Sequence, residues 1–259
     1  LEMSADRPHV ALQILDEARA RASTAARIDE ARAWALLALK RPSDAAAAVE
    51  SLRGQPGLSV NQKYLLASID AARGEETASA SFAEVFTDSP DHIDSRIGRS
   101  YTLRKDAADT VKAQQVLDTV LVQLAPKASR FQKARATSAY GSTYLAAGDE
   151  ERAEERLRDA IRTMPGRSEL YAPLLEFYAD EGRTDDLEAY LAKAREEGAY
   201  APALALFEAQ LRLMNSEPEK ATAILADLDF PDARKLFLQG LALVETVAAP
   251  NVVHLKFAR

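Results

Sequence analysis

Two segments of the chain repeat each other: 137-TSAYGSTYLAAGDEERAEERLRDAIRTMP-165 and 171-YAPLLEFYADEGRTDDLEAYLAKAREEGA-199. They align without a gap at a spacing of 34 residues. The alignment matches Tyr144 with Tyr178, Gly148 with Gly182, Ala153 with Leu187, Leu157 with Leu191, and Ala160 with Ala194. Each segment predicts a helix, a short turn with Gly at the helix C-terminus, and a second helix.

The pattern of the second helix recurs six times along the chain. A small or apolar residue stands at Ala45, Ala78, Ala113, Ala153, Leu187 and Ala221. Four residues later come Val49, Phe82, Leu117, Leu157, Leu191 and Leu225, and three later again Leu52, Val85, Val120, Ala160, Ala194 and Leu228. Because positions i, i+4 and i+7 share one helical face, these three columns predict one buried stripe in each of six helical hairpins.

These columns resemble the tetratricopeptide repeat family, whose helix–turn–helix unit also has 34 residues. The family's small first-helix position is matched by Gly98, Gly141 and Gly240, its Tyr by Tyr101, Tyr144 and Tyr178, and its closing Pro by Pro90, Pro126 and Pro165. The match is clearest over residues 91–200, and residues 26–90 and 201–245 are degenerate but in phase. The resemblance implies an all-α fold, a right-handed superhelical solenoid of stacked hairpins.

The repeat register divides the chain into segments. Residues 1–25 are expected to hold an extra N-terminal helix over 6–22, residues 232–249 a capping helix, and residues 250–259 a tail. The six repeats are expected at 26–58, 59–90, 91–127, 128–167, 168–201 and 202–231. Extra helical residues in 127–134 account for the longer fourth unit, and extra residues near 105–109 lengthen the turn of the third. In the sixth unit, Leu204, Phe207 and Leu211 are expected to face the core.

In the family, the first helices line a concave groove that binds a helix or an extended peptide. Carried onto this chain, the resemblance predicts ten partner-binding residues: Trp34, Lys63, His92, Arg96, Arg99, Arg135, Ser138, Ser142, Glu169 and Glu176. The basic members come earlier in the chain than the acidic ones, so we expect a polarised groove suited to a peptide with an acidic segment.

Two alternatives stay open for these residues. The charged ones can also be explained as solvated surface, and Trp34 as packing against the N-terminal helix rather than as an exposed hot spot. The Lys and Asn pairs with which some family members bind chaperone C-termini are not visible, since the matching positions hold Ser95, Arg99, Ser138 and Ser142. A chaperone co-factor is therefore disfavoured.

Composition excludes several kinds of chemistry. The chain has 259 residues, a net charge of −7, three His and no Cys, which excludes disulfides, thiolate catalysis and iron–sulfur clusters. His9, His92 and His254 lack the spacing of a zinc site, and no phosphate loop or nucleophile elbow is found. We expect no enzyme activity, no cofactor, no bound metal and no nucleic acid partner. The chain also has no run of apolar residues that would insert into a membrane.

The sequence therefore predicts a non-enzymatic scaffold or adaptor for a protein or peptide partner, and its preference for Arg over Lys is typical of a GC-rich bacterial genome. One alternative is an assembly factor of a bacterial envelope machine, for pili, secretion or polysaccharide export. Another is a regulatory domain of a longer enzyme or transcription regulator. The absence of a signal-peptide pattern in residues 1–10 slightly favours the cytoplasm over the periplasm. The oligomeric state and the role of the tail 250–259 stay open, with docking of the tail in a groove as one hypothesis.

Overall fold

The computed structural model describes residues 8–21, 26–104, 107–199, 201–228 and 233–248. Within these ranges the chain forms only helices and turns, without a strand. The α-helices are α1 (Pro8–Arg21), α2 (Ala26–Ala38), α3 (Pro42–Ala48), α4 (Val60–Ala72), α5 (Ala78–Asp88), α6 (Ile93–Thr102), α7 (Ala107–Asp118), α8 (Arg130–Ala146), α9 (Glu150–Thr163), α10 (Ser168–Asp180), α11 (Thr184–Glu196), α12 (Ala201–Met214), α13 (Pro218–Ala226) and α14 (Ala233–Ala248). A 3-10 turn, Glu50–Leu52, follows α3, and a π-helical turn, Thr119–Gln123, follows α7.

The helices divide between two units, Leu1–Arg156 and Leu157–Arg259, with the boundary inside α9. In the first unit each helix from α1 to α8 packs on the next, and alternate helices α2, α4, α6 and α8 also contact one another in sequence. In the second unit, α10 to α14 pack in the same way, with α10 against α12 and α12 against α14. Each unit is therefore a stack of consecutive helical hairpins.

The buried stripe predicted from the three columns is present in all six hairpins. Each of the eighteen column residues is buried, with an exposed fraction of at most 7%. In the first unit, Ala45, Val49 and Leu52 belong to an apolar cluster that joins α2, α3 and α4, and Leu117 and Val120 belong to one that joins α6, α7 and α8. In the second unit, a cluster joins α12, α13 and α14. Leu204, Phe207 and Leu211 are buried as well, as expected for the sixth unit.

Most inner turns of the hairpins contain a residue in the left-handed backbone region. Gly74, Gly148 and Gly182 have φ between 69° and 78°, which glycine adopts at little steric cost. Lys40 and Ser216 take the same conformation, with φ of 58° and 57°. Lys40 lies 34 residues before Gly74, and Ser216 lies 34 residues after Gly182. Packing of the hairpin therefore imposes the turn even where the sequence lacks glycine.

Two helices of the first unit begin with the same reciprocal cap. Ser59 and Ser129 accept a hydrogen bond from the backbone N–H three residues later, and Gln62 and Gln132 accept one from the capping residue's own N–H. The cap at Ser129 starts α8, which at 17 residues is one turn longer than the 13-residue α4 and α10. The tail 250–259 and the turn residues Lys105 and Asp106 lie outside the described residues.

Candidate partner-binding site

The aromatic ring of Tyr64 on α4 is the meeting point of several first-unit helices. Its centroid lies 5.3 Å from that of Trp34 on α2, 4.9 Å from the His92 ring and 6.0 Å from the Phe82 ring on α5. Trp34 is half-buried and also packs against the apolar cluster of α2, α3 and α4, which Leu12 of α1 contacts as well. Trp34 is thus a packed residue of this cluster with part of its surface exposed.

Beside Tyr64 lies a polar network that joins α6 to α8. Arg135 forms an ion pair with Asp94, and Gln132 donates a hydrogen bond from Nε2 to the second Asp94 oxygen at 2.8 Å. Burial acts to lower the pKa of Arg135, but the Tyr64 hydroxyl and the Asp94 charge outweigh it and raise that pKa. Burial also raises the pKa of Tyr64. Arg135 is therefore committed to partners within the chain.

His92 caps the N-terminus of α6. Its Nδ1 accepts a hydrogen bond from the backbone N–H of Ser95 at 3.2 Å, which requires that nitrogen to be unprotonated. Burial lowers the pKa of the His92 ring, while the nearby Asp94 charge opposes the shift. The imidazole is thus a structural acceptor whose neutral form is favoured in the folded protein.

We expect stability to fall as the pH falls through the ordinary His range near 6.5, because a group with a lowered folded-state pKa binds more protons when unfolded. His92→Asn keeps a capping side chain but cannot titrate. Urea unfolding midpoints of both proteins, measured from pH 8 to pH 5, should converge as the pH falls. An unchanged gap between them over that range would contradict the prediction.

Arg96 and Arg99 form a second basic feature, on the side of α6 that meets α5. Both guanidinium groups lie over the ring of Phe86, at 4.4 Å and 5.5 Å from its centroid. Arg96 donates one hydrogen bond to the carbonyl of Pro90 at 3.1 Å, and its buried Nε has no acceptor among the described residues. Arg99 has one long contact, 3.4 Å, from Nε to the hydroxyl of Ser79.

Neither arginine forms an ion pair with a described residue. Burial and the positive charge of Arg99 lower the pKa of Arg96, and the charge of Asp91 only partly compensates. Asp91 is itself paired with Lys127, at 2.5 Å. We call Arg96 and Arg99 with Phe86 the arginine pair. It is a place where an anion would gain two guanidinium partners.

Of the other predicted site residues, one is paired with an acid, two are buried and two are acidic, so they do not extend the basic surface of the arginine pair. Lys63 forms an ion pair with Asp88, and this hydrogen bond raises the Lys63 pKa. Ser138 and Ser142 are both buried in α8, with exposed fractions of 2% and 9%, so they contribute little to an exposed contact surface. In the second unit, Glu176 is exposed and Glu169 half-buried on α10.

Three residues important to this arrangement were not among the predicted site residues: Tyr64, Phe86 and Asp94. Tyr64 adjoins Lys63, and an aromatic residue on a first helix thirty positions after Trp34 was a usable signal. Phe86 and Asp94 act through contacts across helices, for which the sequence offers no local pattern.

Among the described residues, no group of three or more His, Asp or Glu side chains could hold a metal ion. No helix in that part of the chain combines the length and apolar character that crossing a bilayer requires.

The fold is similar to that of a solved structure, a tetratricopeptide repeat protein from Parabacteroides merdae. The two align with a TM-score of 0.63 and 16% sequence identity, over 91% of this chain and 92% of the other. No protein-family model matches the sequence, and no curated protein matches it significantly. The chain therefore has the helical-repeat fold that the residue columns predict, and the resemblance to tetratricopeptide repeats holds at the level of structure.

Proposed function

We propose that the protein is a non-enzymatic scaffold that binds an acidic segment of a partner protein through the arginine pair. The observation that carries this proposal is the contrast among the four predicted basic residues. Lys63 and Arg135 are neutralised by Asp88 and Asp94, whereas Arg96 and Arg99 have no carboxylate partner among the described residues. A partner's carboxylate would supply the missing acceptor.

The geometry supports a carboxylate as the bound group. Phe86 holds both guanidinium groups by stacking, which reduces the side-chain entropy lost when a ligand binds. A carboxylate would also offset the burial and the repulsion from Arg99 that together lower the Arg96 pKa. Of the two explanations open at the level of sequence, ligand contact is therefore favoured over solvated surface for these two residues. In the second unit, Glu169 and Glu176 remain proposed contacts for basic groups of a partner.

The test uses peptides selected from a random library on the immobilised wild-type protein. We expect the selected sequences to be enriched in Asp and Glu, and their affinity to fall at least about 100-fold for Arg96→Glu/Arg99→Glu, which removes two guanidinium partners. The reason is that charge-assisted hydrogen bonds contribute about 1.5–3 kcal/mol each and about 1.4 kcal/mol is a factor of ten. Fluorescence anisotropy of labelled peptides measures the change.

The matched control is Arg21→Glu/Arg27→Glu, which changes the net charge equally at two exposed positions of α1 and α2, helices that do not pack on α5 or α6. Its affinity for the same peptides should stay within about twofold of wild type, since exposed charges act weakly on a distant site. Selected peptides that lack acidic residues, or that bind the Arg96/Arg99 variant as tightly as wild type, would overturn the proposal.

A further inference from the structure

The arginine pair offers more hydrogen-bond donors than one carboxylate can accept. A guanidinium group has about five N–H donors. Arg96 uses one of them on the carbonyl of Pro90, and Arg99 uses one on the hydroxyl of Ser79. Among the described residues, neither guanidinium has another acceptor, and the Nε of Arg96 is buried. The donors that remain on the outer nitrogens exceed the about four lone-pair positions of a carboxylate.

The two guanidinium groups also lie close together. Both lie over the ring of Phe86. Burial lowers the pKa of Arg96, and so does the positive charge of Arg99. Asp91, the acid whose charge acts on Arg96, is itself paired with Lys127. One carboxylate brings a single negative charge to this place. A phosphate monoester brings a charge of about −1.5 to −2 at pH 7 and three acceptor oxygens, so it matches the pair better in both charge and number of acceptors.

Ser79 on α5 supplies a third donor beside the pair. Its Oγ accepts the N–H of Arg99 Nε at 3.4 Å. The hydroxyls of Ser81 and Thr87 on the same helix donate to backbone carbonyls four residues earlier, whereas the Ser79 hydroxyl proton has no acceptor among the described residues. Ser79 is half-buried and lies in the first turn of α5, where the helix dipole favours negative charge. An anion bound at Arg99 would find this O–H as a further donor.

We propose that the arginine pair and Ser79 together bind the phosphate group of a phosphorylated side chain in the partner's acidic segment. This inference rests on the proposed function and names the acidic group that binds most tightly. Two of the three phosphate oxygens accept hydrogen bonds from Arg96 and Arg99, and the third accepts one from Ser79. A Glu at the same place binds more weakly, because its two oxygens are taken by the two arginines and leave the Ser79 hydroxyl without an acceptor.

Three peptide libraries test the proposal on the full chain. Each carries a fluorescent label and one fixed central residue, which is phosphoserine, Glu or Ser, between random flanking residues. The phosphoserine library should bind at least about tenfold more tightly than the Glu library, since one more hydrogen bond to a charged group is a factor of about ten or more. The Ser library should bind most weakly. Fluorescence anisotropy measures the apparent dissociation constants.

Two matched serine variants test the third donor. Ser79→Ala should weaken binding of the phosphoserine library about tenfold and change binding of the Glu library less than about twofold. Ser81→Ala is the control, because Ser81 lies two residues away on the same helix with its hydroxyl bonded to the carbonyl of Thr77. It should leave both libraries unchanged. Equal losses of both libraries in Ser79→Ala would mean that Ser79 acts only by holding Arg99, which contradicts the proposal.

The same libraries separate this inference from the proposed function. A phosphoserine library that binds no more tightly than the Glu library, while Arg96→Glu/Arg99→Glu abolishes binding of the Glu library, would overturn the phosphate assignment and leave the proposed function intact. Binding of both libraries that does not respond to Arg96→Glu/Arg99→Glu would overturn both.

Inorganic phosphate distinguishes a phosphorylated partner from free phosphate as the bound group. As a competitor of the labelled phosphoserine library, it should be at least about tenfold weaker than the unlabelled library, because the peptide adds contacts around the phosphate. Competition at equal concentrations would assign the site to free phosphate and overturn the proposal.

Discussion

Replacing Tyr178 with Ala is expected to destabilise the protein by about 3–5 kcal/mol, as for other large-to-small changes of buried aromatic residues. Tyr178 on α10 is fully buried. Its ring packs 5.6 Å from the rings of both Phe177 and Tyr190, and its hydroxyl accepts a hydrogen bond from Arg158 at 3.0 Å. Truncation would leave a cavity in the second unit and remove one hydrogen-bond acceptor of Arg158. Urea unfolding followed by circular dichroism at 222 nm measures the loss.

Two control variants distinguish the stability contributed by the buried ring from that contributed by the hydroxyl and from that of a Tyr at the same repeat position. Tyr178→Phe keeps the ring and should cost about 1.5 kcal/mol, the lower value for a hydrogen bond to a charged group. Tyr101→Ala changes a Tyr at the same repeat position, but Tyr101 is 38% exposed, so the cost should be about 1 kcal/mol or less. Equal losses for Tyr101→Ala and Tyr178→Ala would show that burial is not what determines the cost.

Replacing Gly98 with Ala is expected to destabilise the first unit by about 2 kcal/mol, even though Ala favours helix more than Gly by about 1 kcal/mol. A Cβ on Gly98 would lie 2.6 Å from Cζ and 2.7 Å from Cε1 of Phe82. Phe82 is a buried column residue of α5, so its ring cannot move away without disturbing its neighbours. Hydrogen exchange of α5 and α6, together with the urea midpoint, should report the change.

The matched control is Gly240→Ala, the same substitution at the same repeat position of another helix. Because nothing surrounds Gly240, only helix propensity acts there, and the variant should gain about 1 kcal/mol when measured at low micromolar concentration. Opposite signs at the two glycines are the expected result. A stabilising effect at Gly98 would mean that Phe82 gives way more readily than its burial indicates.

The repeat columns could be predicted because they depend on residues close together in sequence. Ala45, Val49 and Leu52 lie within two turns of one another, and their spacing alone assigns them to one helical face. The same holds for each of the other five hairpins. The stacked hairpins themselves follow from this, since such a small unit can bury its apolar stripe only against its neighbours.

The candidate site was predicted less completely. The first-helix register drew attention to His92, Arg96, Arg99 and Arg135, yet it could not distinguish paired from unpaired charges. It also placed Ser138 and Ser142 on a groove, whereas both are buried in α8. A register gives the angle of a residue around its helix. It does not give the distance to the neighbouring helices on that side.

The amino acids alone were sufficient for the all-helical class, the period of 34 residues and the identity of the buried columns, because periodic burial is a property of short segments. Packing was needed to pair Lys63 with Asp88 and Arg135 with Asp94, partners 25 and 41 residues apart on different helices. Helix packing also determines that Arg96 and Arg99 lie together over Phe86. Such contacts depend on how helices stack, and therefore no local pattern in the chain encodes which charges are neutralised and which stay available.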